Sequence, residues 1–260
     1  MPGNLSTPGA SVASRVFALL GAFDSEHRSL SLTALAARAG LPLPTVYRMA
    51  AELVGLGVLE RRGDRYVVGR RLWDLGLLAP VQSGLRQVAA PFLQDLYAAT
   101  GATVHLAERD GLRVLYLDRL RGNASVPVVS RVGGRLPLHA TGVGKVLLAW
   151  APDDVQGEVF AALTRVTRHT ITQPGQLRDQ LARIRREGFA QTVEEMTLGA
   201  CSVAVPVRAR PDGEPVAALG VVVPDLRRGR SRLVSALQVT AAGIGRGLAA
   251  NGLSLSESPA

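Results

Sequence analysis

The sequence predicts an α+β chain of more than one domain: a winged helix-turn-helix, a linker helix, and a C-terminal α/β domain. Three observations carry that reading. Between Leu30 and Val68 a short apolar helix, a Gly-centred break, a second helix with one bare polar face and an arginine-rich hairpin follow one another. From Val81 onward, short strands alternate with amphipathic helices. Between the two lies Gly69–Leu78, helical in pattern and without a flexible spacer. The expected limits are a disordered tail at 1–11, the DNA-reading domain at 12–68, the linker helix at 69–80, the second domain at 81–250 and a frayed tail at 251–260.

Val12, Val16, Leu19, Leu20 and Phe23 recur at helical spacing and predict a first, supporting helix. Ser31 is placed to N-cap a second helix that buries Leu32 and Leu35 and ends near Ala39, where Gly40 can turn left-handed and stop it. Pro42 and Pro44 suit entry into a third helix, because its first turn needs no backbone N–H. There Val46, Met49, Ala50 and Leu53 form an apolar stripe, while Thr45, Arg48 and Glu52 face the other way with Tyr47 and Ala51 beside them. Such a face fits a major groove about 12 Å wide. Val58-Leu59 and Tyr66–Val68 then make a hairpin whose tip carries Arg61, Arg62 and Arg65 toward phosphates or a minor groove. The expected DNA contacts are Thr45, Tyr47 and Arg48 at base edges and phosphates, with Pro44 beside them and Arg38 and the three hairpin arginines on the backbone. A simple αα-hairpin shares the first half of this pattern; the basic hairpin directly after it is what a winged helix-turn-helix requires.

Leu72, Leu75 and Leu78, with Trp73 nearby, are expected on the exposed face of the linker helix, joining two protomers before Pro80 closes it. The competing reading is that they cap the first domain's own core. Beyond it, Leu85, Val88, Phe92 and Leu96 mark an amphipathic helix, and Thr103–Ala107 and Val114–Leu120 are strands around an Asp110-Gly111 turn. Val126–Val129 reads as a further short strand, and Leu138–Lys145 leads into a helix at Val146–Trp150. Helices follow Pro152-Asp153-Asp154 and Thr172–Gly175, the latter burying Leu177, Leu181 and Ile184 and stopping at Gly188. Phe189–Val193, Cys201–Val207 and Val216–Val223 are strands, and a helix at Arg232–Leu248 closes the domain.

Composition limits the function classes. At 260 residues with 47% hydrophobic and 4% aromatic content, the chain suits a water-facing globular protein with a sizeable core. No apolar run is read as approaching the roughly 18 residues of a membrane span, and the opening MPGNLSTPGAS lacks a signal-peptide pattern, so a cytoplasmic location is expected. One cysteine, Cys201, excludes an internal disulfide and a cysteine-rich zinc module. The net charge of +9 suits a polyanionic partner. Yet 29 of the 30 basic residues are arginine, as a GC-rich genome would also give, and Met1–Pro80 carries nine Arg against six acidic residues. Charge supports DNA binding without establishing it.

With the helix-turn-helix and basic wing come PLHATGVGKVLLA (Pro137–Ala149), TITQPGQLRDQLARIRREGFA (Thr170–Ala190) and GACSVAVPV (Gly199–Val207). In this order and spacing the chain resembles the IclR family of bacterial transcription regulators over residues 12–250. The resemblance implies operator binding, usually by dimers or dimers of dimers, and a GAF-like C-terminal domain that senses a small molecule, with no cofactor. It implies an effector cavity around Ala140, Thr141, Gly142, Gln191, Cys201, Gly220 and Val222. Independently of it, Thr141 and Gly142 open a helix, whose free N–H groups favour a carboxylate or similar oxygen. Cys201 and Ser202 alternate on one strand, so at most one of them faces the cavity. Relatives that sense small hydrophilic acids usually place an acidic residue and two serines where this chain has Gln191, Gly220 and Val222; a more apolar effector, an aromatic one included, is expected here. The expected role is repression of a neighbouring catabolic operon.

Other marked residues have plainer readings. Gly142-Val143-Gly144-Lys145 lacks the full phosphate-loop spacing, with Val146 where Ser or Thr belongs, so Lys145 is expected to pair with a carboxylate or approach the effector's rim. His105, His139 and His169 show no metal-ligand spacing. Cys201 could serve a thiol-dependent enzyme or redox sensor, but a lone Cys in a VxVxV strand is more often a small buried hydrophobe. Glu194-Glu195 reads as a polar loop rather than acid–base machinery. A protein that coats DNA without sequence preference is the third alternative, separable by its salt dependence. No catalytic residue and no metal ligand is expected.

Overall fold

Ser11 and Ser31 each start a helix by accepting a hydrogen bond from a first-turn backbone N–H, that of Ser14 at 3.1 Å and of Ala34 at 3.3 Å. These helices belong to a computed structural model that describes residues 11–24, 26–76, 78, 83–122, 126, 128–227 and 229–251. The expected tails therefore lie outside the described residues apart from Ser11 and Asn251, as do Leu77 and Pro80 of the linker. The chain divides into two compact units, Met1–Val81 and Gln82–Ala260.

In the first unit, α1 (Val12–Leu20) precedes a three-residue strand β1 (Ser29–Ser31), then α2 (Leu32–Ala39) and α3 (Leu43–Gly55). Gly40 ends α2 at φ 65°, and its N–H reaches back to Ala36 O, the stop the sequence anticipates. β2 (Leu59–Arg62) and β3 (Arg65–Val68) form the wing, and α4 (Arg70–Gly76) follows. The sheet order is β1-β3-β2, all antiparallel. β1 escapes sequence reading because three residues of Ser-Leu-Ser carry too little periodicity; its pairing with β3, Leu30 opposite Tyr66, defines it. The core is small: Leu19, Leu35, Val46, Ala50 and Leu59 are essentially inaccessible. Each large side chain here contributes about 1.5–3 kcal/mol on burial.

The second unit is a six-stranded antiparallel sheet between two layers of helices. Its elements are α5 (Ser83–Thr100), β4 (Thr103–Asp110), β5 (Arg113–Leu120), β6 (Arg135–Pro137), α6 (Gly142–Ala149), α7 (Asp153–Ala161), α8 (Pro174–Glu187), β7 (Ala190–Val193), β8 (Cys201–Val207), β9 (Ala217–Val223) and α9 (Arg230–Ala250). The strand order is β6-β5-β4-β9-β8-β7. Alternation divides each strand between the faces. Val203, Val205, Leu219 and Val221 join α5 and α9 in one core, whereas Ala204 and Ala218 join α6, α7 and α8 in the other.

Three expectations need correction. Val126, Val128 and Val129 stand in no strand; the third hairpin partner is β6, which pairs with Arg113–Leu115. Val128 and Val129 line a cavity wall instead. The helix expected at Val146 starts at Gly142, because the Thr141 hydroxyl caps it by accepting from Gly144 N at 3.1 Å. Finally, α9 is long and apolar enough to cross a membrane by length and composition, contrary to the reading that no run comes close. Its Leu237, Ile244 and Leu248 are fully buried in the sheet core with α5, which accounts for that composition.

One polar cluster fixes the entry to β1 and α2. Asp24 Oδ1 accepts from Glu26 N, His27 N and His27 Nδ1 at 2.8, 2.8 and 2.9 Å, and Oδ2 accepts from Arg38 Nη2 at 2.7 Å. Arg38 Nε also donates to Ala22 O at 2.7 Å. The hydrogen bond from His27 is the largest cause holding the Asp24 carboxyl down at about 2. Because the folded form favours the carboxylate, its contribution is complete above the ordinary value of 3.8 and disappears as pH falls through about 2. Asp24→Asn is expected to reduce amide-exchange protection in α2 at pH 7, and the difference from wild type should close between about pH 4 and 2; an unchanged difference at pH 2 would contradict the charge-based account.

Candidate functional site

The outer face of α3 is open. Leu43, Pro44, Tyr47, Arg48, Ala51 and Glu52 are exposed and Thr45 is half-buried, while Val46, Ala50 and Leu53 fix the helix to the core behind. Tyr47, at 60% exposure, has no packing role inside the unit. Arg48 makes no hydrogen bond or ion pair among the described residues. This face can take base edges or phosphates without disturbing the core.

The expected backbone-contacting arginines are less uniform. Arg38 is occupied by Asp24 and Ala22, as described, so its guanidinium braces the domain from within. Arg65 crosses to β1, where its Nε donates to Ser29 Oγ at 3.0 Å and its Nη2 to Ser29 O at 2.6 Å. Arg61 donates to Gly63 O and Arg62 to Glu60 Oε2, both at 3.0 Å and both exposed, contacts that water or a phosphate can replace. Spacing alone could not separate bracing arginines from presenting ones. In the linker, Trp73, Leu75 and Leu78 are exposed by 67%, 52% and 79%, with Leu72 half-buried. They do not cap this unit's core.

In the second unit a cavity of about 500 Å³, its open mouth included, lies between the sheet and the start of α6. Helix α6 is buried on all sides. It packs this closely because a Cβ on Gly144 would overlap Leu138 O and Thr141 Oγ1, and one on Gly220 would stand 2.8 Å from Val143 Cγ1. Gly144 N is satisfied by Thr141, but the N–H groups of Gly142 and Val143 have no acceptor among the described residues, and both residues line the cavity. Ser202 Oγ and Thr192 Oγ1 share a 2.6 Å hydrogen bond nearby, and Tyr116 lies within hydrogen-bonding reach of Thr141. A second polar set is His105 Nε2 with Ser130 Oγ at 2.7 Å, beside the Tyr116 ring at 5.0 Å between centroids. Val128, Leu136, Met196 and Val222 supply apolar wall.

No Asp, Glu, Lys or Arg side chain lines this cavity among the described residues. Burial keeps His105 neutral, its pKa pushed down to about 3, with Arg119 adding to the effect. Burial likewise raises the Tyr116 phenol. The electrostatic character is therefore that of uncharged donors at a helix N-terminus, which favours an anion's oxygen within an otherwise neutral, partly apolar chamber.

Of the expected effector contacts, Thr141, Gly142, Gly220 and Val222 line the cavity. Ala140 is buried but does not line it, and Gln191 belongs to the opposite face of β7, where its Oε1 accepts from Arg230 at 3.3 Å. The β7 residue that faces inward is Thr192, as alternation from buried Ala190 requires. Cys201 borders the cavity, yet its thiol is 3.7 Å from Pro224 O, and it is Ser202 that turns toward α6. Burial pushes the thiol up, helped by Asp225 and Glu194, the reverse of an activated nucleophile. No group of three His, Cys, Asp or Glu able to hold a metal occurs among the described residues. His105, Tyr116 and Ser130 had no pattern in the sequence to mark them, because strands β4 and β5 and an irregular connection bring them together.

Comparisons with known proteins agree with this two-part arrangement. The family model of the IclR helix-turn-helix domain matches residues 12–63, and that of the bacterial transcriptional regulator IclR C-terminal domain matches residues 79–246. The HTH-type transcriptional regulator KdgR of Dickeya chrysanthemi is 32% identical over 217 residues, 82% of this chain and 70% of that protein. BhcR of Paracoccus denitrificans is 34% identical over 208 residues, covering 78% and 74%. Among solved structures, an IclR homologue from Microbacterium hydrocarbonoxydans complexed with 4-hydroxybenzoate superposes with a TM-score of 0.87 at 35% identity, covering 92% of this chain and all of that one.

Close packing at Gly144 makes the N-terminus of α6 sensitive to a single methyl group. Gly144→Ala is expected to lower stability by about 1–3 kcal/mol through overpacking. A chemical-denaturation midpoint equal to wild type would show that α6 can move away from Leu138 at no cost.

Proposed function

The chain belongs to the IclR family of bacterial transcriptional regulators, and from that premise we propose that its operator affinity is set by an aromatic carboxylic acid held at the start of α6. The observation that carries the effector class is the cavity's chemistry: two unpartnered N–H groups and several hydroxyls, but no charged side chain. The carboxylate would accept from Gly142 N and Val143 N with Ser202 and Thr192 beside it, and the ring would lie among Val128, Leu136, Met196 and Val222. A phenolic hydroxyl would meet His105 and Ser130. The 4-hydroxybenzoate complex of the Microbacterium homologue supports this class.

At the DNA, Pro44, Thr45, Tyr47 and Arg48 of α3 would read bases, and Arg61 and Arg62 of the wing would hold the backbone. Arg65 would act by fixing the wing on β1. The exposed Trp73, Leu75 and Leu78 support a homodimer joined through the linker, with two protomers reading two half-sites and a dimer of dimers as the larger form. The effector shifts DNA affinity only through its unequal affinity for the two protomer arrangements. We place the protein in the cytoplasm as a repressor that regulates rather than catalyses.

Calorimetry with 4-hydroxybenzoate, benzoate, glyoxylate and pyruvate tests the effector class: the aromatic acids should bind and the small hydrophilic ones should not. Because His105 stays neutral well below its ordinary value of 6.5, affinity for 4-hydroxybenzoate should be flat between about pH 8 and 6. Tighter binding on acidification through that range would mean an imidazolium contact. On operator DNA, Arg48→Ala should cost about 1–3 kcal/mol. An equal loss on random DNA would reduce Arg48 to a phosphate contact.

A further inference from the structure

Lys145 is the only lysine of the chain and is fully buried, one turn into α6 and flanked by core residues. Its Nζ donates to Glu195 Oε1 at 2.6 Å, to Glu195 Oε2 at 2.7 Å and to Gln180 Oε1 at 2.7 Å, so all three of its hydrogens have partners. Glu195 begins the turn that joins β7 to β8, whose Met196, Thr197 and Ala200 form one wall of the effector cavity. The other side of that turn is not packed core. A second cleft, of about 900 Å³ with its open mouth included, is lined there by Glu195 itself, with Gln180, Arg183 and Arg230 around it. Glu195 therefore borders an open cleft rather than packed core, and directional bonds hold its position.

Those bonds converge on two residues. Glu194 takes a left-handed φ of 56°, unusual for a side chain of its kind, and its carboxylate accepts from Gly199 N at 2.6 Å. The Glu194 carbonyl accepts from Thr167 Oγ1 and the Glu195 carbonyl from Thr170 Oγ1, each at 2.7 Å. Glu195 then reaches α6 through Lys145. A buried ion pair is a poor means of gaining stability, since apolar side chains of similar volume usually do as well or better. What it adds is direction: a bidentate carboxylate fixes one position of the turn relative to the helix.

We propose that Lys145 and Glu195 are positioning residues for the effector, tying the Met196–Ala200 wall to the same helix whose N-terminal amides receive the ligand. This rests on the cavity being the effector site. The pair touches no ligand itself. It sets the distance between the helix end and the facing wall, and with it the size of acid that the chamber accepts.

The test uses the full chain carrying Lys145→Met together with Glu195→Leu, a replacement that leaves no buried charge unpaired, as either single change would. Its melting midpoint is expected to stay near wild type. Amide exchange in the ligand-free protein at Glu194, Gly199 and Ala200 should accelerate about tenfold or more, with β9 and α9 unchanged. Affinity for 4-hydroxybenzoate should fall by about tenfold or more, and the preference over benzoate should narrow. Wild-type exchange at the wall in the double variant would overturn the proposal whether or not any acid binds, and so would wild-type affinity. Failure of wild-type protein to bind the aromatic acids would sink the effector reading alone, leaving the exchange measurement to decide the role of the pair.

Discussion

A helix buried on every side has nowhere to hide its own N-terminus. The first-turn amides of α6 have no carbonyl of an earlier helical turn to bind. Thr141 takes one of them, its hydroxyl accepting from Gly144 while donating to Pro137 O at 3.2 Å. The N–H groups of Gly142 and Val143 are left to the cavity. Much of the second unit serves this arrangement. Glycines at 144 and 220 let the helix lie close to the sheet, small residues at Ala204 and Ala218 receive it, and α7 and α8 close over its outer side. A ligand that offers an anionic oxygen there meets donors for which no protein acceptor competes among the described residues.

The same constraint explains which parts of the site could be read from the chain alone. Thr141 and Gly142 do open a helix, a local feature visible in a single stretch, although its span from Gly142 was read four residues late. Gly40 and Gly188, which end α2 and α8 at φ 65° and 75°, are local in the same sense. Facing is harder. Gln191 was expected at the effector, but β7 turns Thr192 inward instead, one residue away, while on β8 Cys201 borders the cavity beside Ser202. A strand reverses every side chain on a shift of one residue, so such an error needs only a misjudged register. Lys145 does pair with a carboxylate, as expected, but which partner meets which across the chain could not be read. Ser130 meets His105 across 25 positions, and Glu195 meets Lys145 across 50. Nothing in Glu194-Glu195 marked the second as buried.

The first unit shows the limit in another form. Its helices and wing follow from apolar spacing, turn residues and capping, but the arginines do not sort themselves by spacing. Arg38 and Arg65 are held by Asp24, Ala22 and Ser29, whereas Arg48 has no such partner among the described residues. A small domain with few large buried side chains gains from such braces, which link segments its core cannot clamp. Net charge conceals this division. Bracing and presenting arginines count alike toward +9.

The cavity's neutrality bears on selectivity more directly than any single contact. A carboxylate loses hydration on entry, and two amide donors with a hydroxyl or two return about 1.5–3 kcal/mol apiece. An acid of two or three carbons has little apolar surface to bury beyond those hydrogen bonds. An aromatic acid gains a further term. Burying roughly 150 Å² of ring at about 25 cal/mol per Å² contributes about 4 kcal/mol, near a thousandfold in affinity. In the proposed site a para hydroxyl would meet His105 and Ser130, whose own hydrogen bond can open to accept it. Neutral His105 is suited to that task, since an imidazolium in the same place would draw the carboxylate to the wrong end of the chamber. Charge excluded from the walls thus leaves the end of α6 as the one electrostatic mark by which an acid can orient itself.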